Sequence, residues 1–235
     1  MELRRGAAGV VRVGHRGAAA LAPENSLAAI EAAAAHGADA VELDVLRAHG
    51  GELVLAHELA AGAPGLDDGL ALAAHLGLAV QVDVKQRGLE GEIAAALERH
   101  GLLRRSFVSS CSLPVLAAFA AVEPELPRAF SYPEDRLGIS GSRLLRPAVR
   151  PGLAALRSVL PVRLPRWLRA VGARAATLNW AVVTPRVVVV CHRLGAAVYV
   201  WTVNEPALAR TLVETGIDGI ITDDPRIVPA GTSTS

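Results

Sequence analysis

Six residues in this chain have types and spacing that could hold a metal ion and move protons. Glu42 and Asp44 stand two positions apart in Val41-Glu42-Leu43-Asp44-Val45. An extended chain therefore points both carboxylates to one face, about 7 Å apart, and turns the aliphatic residues to the other. Asp83 and Lys85 share a face by the same arithmetic in Val82-Asp83-Val84-Lys85. Three interior carboxylates with one lysine are costly to bury unless a cation joins them. A divalent metal held by Glu42, Asp44 and Asp83 resolves the charge problem, and an all-oxygen set favours Mg²⁺ or Ca²⁺ over zinc. His15 directly follows one apolar run and His57 ends another. Two imidazoles titrating near neutrality can act as general acid and base on either side of a phosphorus atom. An exposed edge strand would explain one alternating charged pair without any function. It explains two pairs less well, because strands of a parallel barrel are normally covered by helices.

To bring these groups together, the chain needs strands that end at a common rim. Short β-branched runs alternate with alanine- and leucine-rich stretches along the sequence. The pattern predicts strands over Val10–Gly14, Ala38–Val45, Leu78–Lys85, Phe107–Ser110, Pro127–Phe130, Ala175–Asn179, Ala197–Thr202 and Gly219–Thr222. Helices are expected over Ser26–His36, Asp67–His75, Glu90–His100, Leu113–Val122, Leu153–Val171, Pro185–Leu194 and Pro206–Glu214. His-Gly and Leu-Gly pairs at Gly37, Gly77, Gly101 and Gly195 read as helix ends. Eight strands with helices between them match a (β/α)₈ TIM barrel in order and length, with an open doubly wound sheet as the alternative. In a barrel, both carboxylate-bearing strands present their polar face inward, near the C-terminal rim where active sites sit. One domain over residues 1–228 and a disordered tail over 229–235 are expected.

Composition narrows the partners. The net charge of +1 gives no argument for a nucleic-acid partner. Cys111 and Cys191 lie far apart without a C-x-x-C pairing, and no apolar run suits a leader or a membrane span. A reducing, cytoplasmic setting is the expectation. Lys85 is the only lysine in the chain, as if that position required a compact ammonium, although compositional bias explains a single residue equally well. The stretch Arg136–Arg174 holds nine arginines and no acidic residue, and its prolines at 147, 151, 161 and 165 predict several short helices. A solvated face is the ordinary meaning of such a run; peripheral contact with an anionic membrane is the functional alternative. His36, His75, His100 and His192 read as structural residues on helices, and His49 as a bystander in a turn. No Walker A loop, nucleophile elbow or zincin motif is present.

The ordered set His15-Arg16-Gly17, Pro23-Glu24-Asn25-Ser26, Glu42-Leu43-Asp44, Gly51 to His57 and Asp83-Val84-Lys85 resembles the glycerophosphodiester phosphodiesterase family. Trp201-Thr202-Val203-Asn204 and Asp218 through Pro225 extend the resemblance to the C-terminal part of the chain. The resemblance implies a TIM-barrel hydrolase that releases an alcohol and glycerol 3-phosphate from a small glycerophosphodiester. It makes His15 and His57 the catalytic pair, Glu42, Asp44 and Asp83 the metal ligands, and Arg16 and Lys85 the phosphate contacts. Glu24 and Asn25 become substrate contacts or merely the start of a helix, with Asn25 or Ser26 as its cap. Trp201 lines the alcohol pocket or fills the barrel. Asp223 and Asp224 read as a strand terminus; Cys111, just past the fourth expected strand, reads as a small buried thiol or as a group that reaches the rim.

Three departures stand out. Asp83 replaces the usual glutamate, and Glu58 follows His57 in place of an aspartate. Only 25 residues separate His57 from Asp83, so the loop region after the second strand is shortened and a more open pocket is expected. Two other functions remain open at this level: a lysophospholipase D-like hydrolase, and a catalytically silent barrel that binds phosphorylated ligands.

Overall fold

The computed structural model describes residues 3, 4, 6, 9–59, 61–133 and 146–229. Strands β1 (Val11–Gly14), β2 (Ala40–Arg47) and β3 (Leu53–Leu55) come first, followed by β4 (Ala79–Val84), β5 (Ser106–Ser110) and β6 (Arg128–Tyr132). The last three are β7 (Ala175–Asn179), β8 (Ala197–Trp201) and β9 (Gly219–Thr222). All but β3 run parallel in the order β1-β9-β8-β7-β6-β5-β4-β2, and β1 pairs with β2 to close the circle. The result is a closed eight-stranded parallel barrel with helices between successive strands, the (β/α)₈ architecture. The helices are α1 (Leu27–Ala35), α2 (Leu66–His75), α3 (Glu90–Arg99), α4 (Leu113–Val122), α5 (Arg146–Ala170), α6 (Pro185–Arg193) and α7 (Pro206–Glu214). Ser26, Ser112 and Thr184 cap α1, α4 and α6 by accepting backbone N–H bonds. The glycines expected to end helices, Gly37, Gly77, Gly101 and Gly195, all have left-handed backbone.

Strand alternation divides the core. Outward residues such as Val41, Leu43, Val80 and Val82 pack beneath α1, α2 and α3, while Phe130, Leu178 and Val200 pack with α5 and α6. Inward residues build layers. At the N-terminal end of the barrel, Val13, Ala40, Phe107, Ala129, Ala175, Ala197, Tyr199 and Ile221 form an apolar plug. The rings of Phe107 and Tyr199 lie 5.2 Å apart at its centre, and a Cβ on Gly219 would stand 2.3 Å from the Tyr199 ring. Small alanines surround the two large rings, and each buried ring contributes roughly 1.5–3 kcal/mol. Above the plug the interior turns polar, with Gln81, Ser109, Ser131 and Thr177 buried.

Two elements differ from the sequence expectation. β2 runs on to Arg47, because its last three residues pair with β3 in an antiparallel hairpin while Val45 keeps its place beside Val84 of β4. That ninth strand is the apolar run before His57. In the basic stretch, α5 is one 25-residue helix, not several short ones. Pro147 falls in the first turn, where no N–H is needed. Farther along, buried Leu160, Leu164 and Leu168 anchor the helix to the core and offset the bonds lost at Pro161 and Pro165. Arg163, Arg166 and Arg169 are exposed on it. Residues 136–145 of the basic stretch, and all of the expected tail except Pro229, lie outside the described residues. Among the described residues no helix is long and apolar enough to cross a membrane.

Candidate active site

The rim at the C-terminal strand ends is built by register. Asp44 on β2 and Asp83 on β4 are partners across adjacent parallel strands, and Glu42 lies one inward step below Asp44. One carboxylate oxygen from each of Glu42, Asp44 and Asp83 lies within 4.8 Å of the others. Glu42 and Asp44 are buried, and Asp83 is half-buried. Three carboxylate oxygens converging from two strands are a donor set that could hold a divalent cation.

The turn after β1 supplies the next groups. A Cβ on Gly14 would stand 2.0 Å from the Gly17 carbonyl, so only glycine lets the chain double back there. Arg16 (φ 51°) and Asn25 (φ 55°) are the non-glycine residues with left-handed backbone among those described, and both belong to the site. Such backbone costs of order 1–3 kcal/mol and persists where neighbours over-determine it. Here the Arg16 N–H donates to Glu42 Oε2 at 2.9 Å, and the Asn25 N–H donates to the Arg16 carbonyl at 2.9 Å. The Arg16 side chain places Nε 3.0 Å from Asp44 Oδ2 and Nη1 2.7 Å from Glu24.

His15 Nδ1 lies 2.7 Å from Asp223 Oδ1, and its Nε2 lies 4.0 Å from Glu42. Asp223 follows β9 and is itself held by the Asn204 side-chain amide, while Asn204 Oδ1 accepts the Asp223 N–H at 3.0 Å. On the opposite side His57 Nδ1 lies 3.2 Å from Asp44 Oδ2. Lys85, just past β4, places Nζ 3.1 Å from Asp44 Oδ1 and in closer contact with Asp83 Oδ2.

These neighbours set the charges. Burial together with the Asp44 carboxylate pushes Glu42 up to about 7. Asp44 is equally buried, yet the His57 hydrogen bond, Lys85 and Arg16 hold it well below the usual carboxylate range. Burial also works against charging His15 and Lys85. For His15 the Asp223 bond and the Glu42 charge outweigh it and raise the imidazole. For Lys85 the Asp83 and Asp44 charges do the same.

His15, Arg16, Glu42, Asp44, His57, Asp83, Lys85 and Trp201 all line one cavity of about 620 Å³, floored by Gln81, Ser131 and Thr177. Cys111 is half-buried on its wall, the rim position and not the buried one of the two expected for it. Glu24 and Asn25, the other two expected substrate contacts, border a neighbouring cavity. Glu24 is half-exposed, pairs with Arg16 and lines that cavity, which has a volume of about 510 Å³ and shares only His57 and Glu58 with the first. Asn25 is buried, and both ends of its amide are taken by Asp44, at 3.2 Å to Oδ2 and 3.1 Å from the backbone N–H. Its amide therefore backs the Asp44 carboxylate while the residue borders the neighbouring cavity, and Ser26 is the cap of α1. Asp223 and Asn204 escaped sequence reasoning as site residues. The signal was topological: barrel closure sets the end of the last strand beside the end of the first.

A model of the Glycerophosphoryl diester phosphodiesterase family matches residues 15–74 and 97–227, more than half of the chain. Asp83 and Lys85 fall between those stretches, so their place in the site comes from the β2–β4 register. The glycerophosphodiester phosphodiesterase of Caldanaerobacter subterraneus subsp. tengcongensis is 25% identical over 252 residues, covering 91% of this chain and 93% of that protein. Among solved structures, an Oleispira antarctica phosphodiesterase in complex with the product sn-glycerol-3-phosphate superposes with a TM-score of 0.74 at 20% identity, covering 92% of this chain and 93% of that one. A glycerophosphodiester phosphodiesterase from Parabacteroides distasonis gives 0.72 at 21% identity, with 94% and 95% covered. At these identities the structural likeness speaks for the fold.

Proposed function

Because the chain belongs to the glycerophosphoryl diester phosphodiesterase family, we propose that it hydrolyses a glycerophosphodiester to an alcohol and sn-glycerol 3-phosphate. The observation that carries this reading is the convergence of His15, His57 and three carboxylates on one cavity at the C-terminal rim. Glu42, Asp44 and Asp83 would hold a divalent ion, Mg²⁺ or Ca²⁺ by the hardness of their oxygens. Such an ion, when bound, polarises a phosphoryl oxygen and offsets the charge that builds as phosphorus becomes five-coordinate.

The chain's own groups do the rest. Arg16 and Lys85 neutralise the non-bridging oxygens and fix the phosphate among them. Asp223 holds His15 by Nδ1, which leaves Nε2 turned toward the carboxylates and available for proton transfer. His57 stands across Asp44 from it, half-exposed. One of these imidazoles takes the proton of the nucleophile while the other delivers a proton to the departing alkoxide; with water as nucleophile the monoester forms directly, and with a neighbouring substrate hydroxyl a cyclic phosphate forms first and water then opens it. Trp201 on the wall contributes an apolar face for the organic part of the diester.

Incubating the chain and Mg²⁺ or Ca²⁺ with glycerophosphocholine, glycerophosphoethanolamine and glycerophosphoglycerol tests the reading. Release of glycerol 3-phosphate from at least one is expected; none from any of them removes the proposal.

A further inference from the structure

Asp83 is held by more than its strand. Its Oδ1 accepts a hydrogen bond from the Ser109 hydroxyl at 2.6 Å, and Ser109 Oγ accepts one from the Gln81 side-chain amide at 3.0 Å. The directions are forced. A carboxylate only accepts, so Ser109 must spend its single hydrogen there, and only the NH₂ end of Gln81 can then face Ser109. Ser109 is the register partner of Asp83 on β5, and Gln81 precedes Asp83 by two positions on β4. The three side chains thus form one line on the inward face. Ser109 is fully buried and Gln81 nearly so, at 3% exposure. No step of the proposed reaction uses either of them.

Lys85 draws on the other oxygen of the same carboxylate. Without a second tether, that ammonium would decide where the carboxylate points. Ser109 pins Oδ1 while leaving it a lone pair for another partner. We propose that Ser109, fixed in turn by Gln81, is a positioning residue that presets Asp83 to receive a divalent cation. The inference rests on the metal reading given above and adds the residues that aim one of its ligands.

Calorimetric titration of Ca²⁺ into the full chain tests it. Losing an outer partner of a metal ligand typically weakens binding about 10–100-fold, and a loss in that range is expected for Ser109→Ala. Ser109→Thr, which keeps the hydroxyl, is expected to restore affinity, with melting temperatures of the ion-free proteins nearly equal. Equal affinity in wild type and Ser109→Ala would overturn the proposal, as would an equal loss in Ser109→Thr. If Ser109→Ala does not fold, Gln81→Met takes its place: a smaller loss supports the role, and unchanged affinity refutes it. A wild-type chain that hydrolyses glycerophosphodiesters yet binds no Ca²⁺ or Mg²⁺ would instead remove the metal reading itself, and this inference with it.

Discussion

His15 and Asp223 are 208 positions apart in the chain, yet Nδ1 and Oδ1 meet at 2.7 Å because β9 lies beside β1 where the barrel closes. The contact fixes the ring and raises the imidazole against the opposing effect of burial. Asp223→Asn is therefore expected to move the limb of the kcat/KM profile that His15 controls to lower pH. Turnover should fall by roughly 10–10²-fold as part of the worth of an oriented acid or base is lost. A pH profile that stays in place would show that the carboxylate does not tune the ring.

Removing either imidazole is more severe. His15→Ala and His57→Ala are each expected to lower kcat by roughly 10²–10⁴-fold with the fold intact by circular dichroism. Near wild-type turnover in one of them takes that histidine out of proton transfer.

Stripping the chain with EDTA is expected to abolish turnover, and added Mg²⁺ or Ca²⁺ to restore it. Full activity after rigorous chelation contradicts an ion at Glu42, Asp44 and Asp83.

Glu42 carries a stability cost with a definite pH window. Its carboxyl titrates at 4.5 when unperturbed and at about 7 in the fold. Between those values the folded state holds more protons than the unfolded one, so stability falls as pH rises through the window. Glu42→Gln removes the cost and should raise stability at pH 8 by on the order of 1–3 kcal/mol. The gain should vanish below about pH 4.5. Thermal melts at pH 4, 6 and 8 check this, and a lower melting temperature for the variant at pH 8 would mean that the ionised carboxylate is stabilised.

Lys85 stands between Asp44 and Asp83, where a bound cation would also be drawn. Lys85→Met should cost turnover at least about tenfold by leaving phosphate charge unmatched. It should also tighten Ca²⁺ binding, measured by calorimetry, because an internal competitor is gone. Weaker binding would show that the ammonium supports the carboxylates rather than competing with an ion.

Much of this site was legible before any coordinates. Period-two spacing turned Glu42, Asp44, Asp83 and Lys85 inward, and glycines after apolar runs marked most helix ends, because both signals are local. What escaped is non-local. Asp223 looked like a strand terminus until closure brought β9 against β1. Asn25 looked like a cap or a substrate contact, since nothing in its neighbourhood reveals that both ends of its amide go to Asp44, 19 positions away. The prolines of α5 argued for breaks, and only packing of Leu160, Leu164 and Leu168 against the core overrides them.

The Phe107–Tyr199 plug has a consequence for traffic. With Phe107 and Tyr199 packed at its far end, the barrel opens its described cavity at the catalytic rim. In the proposed reaction a long tail on the diester is expected to trail out over that rim into solvent, past Trp201 at the end of β8.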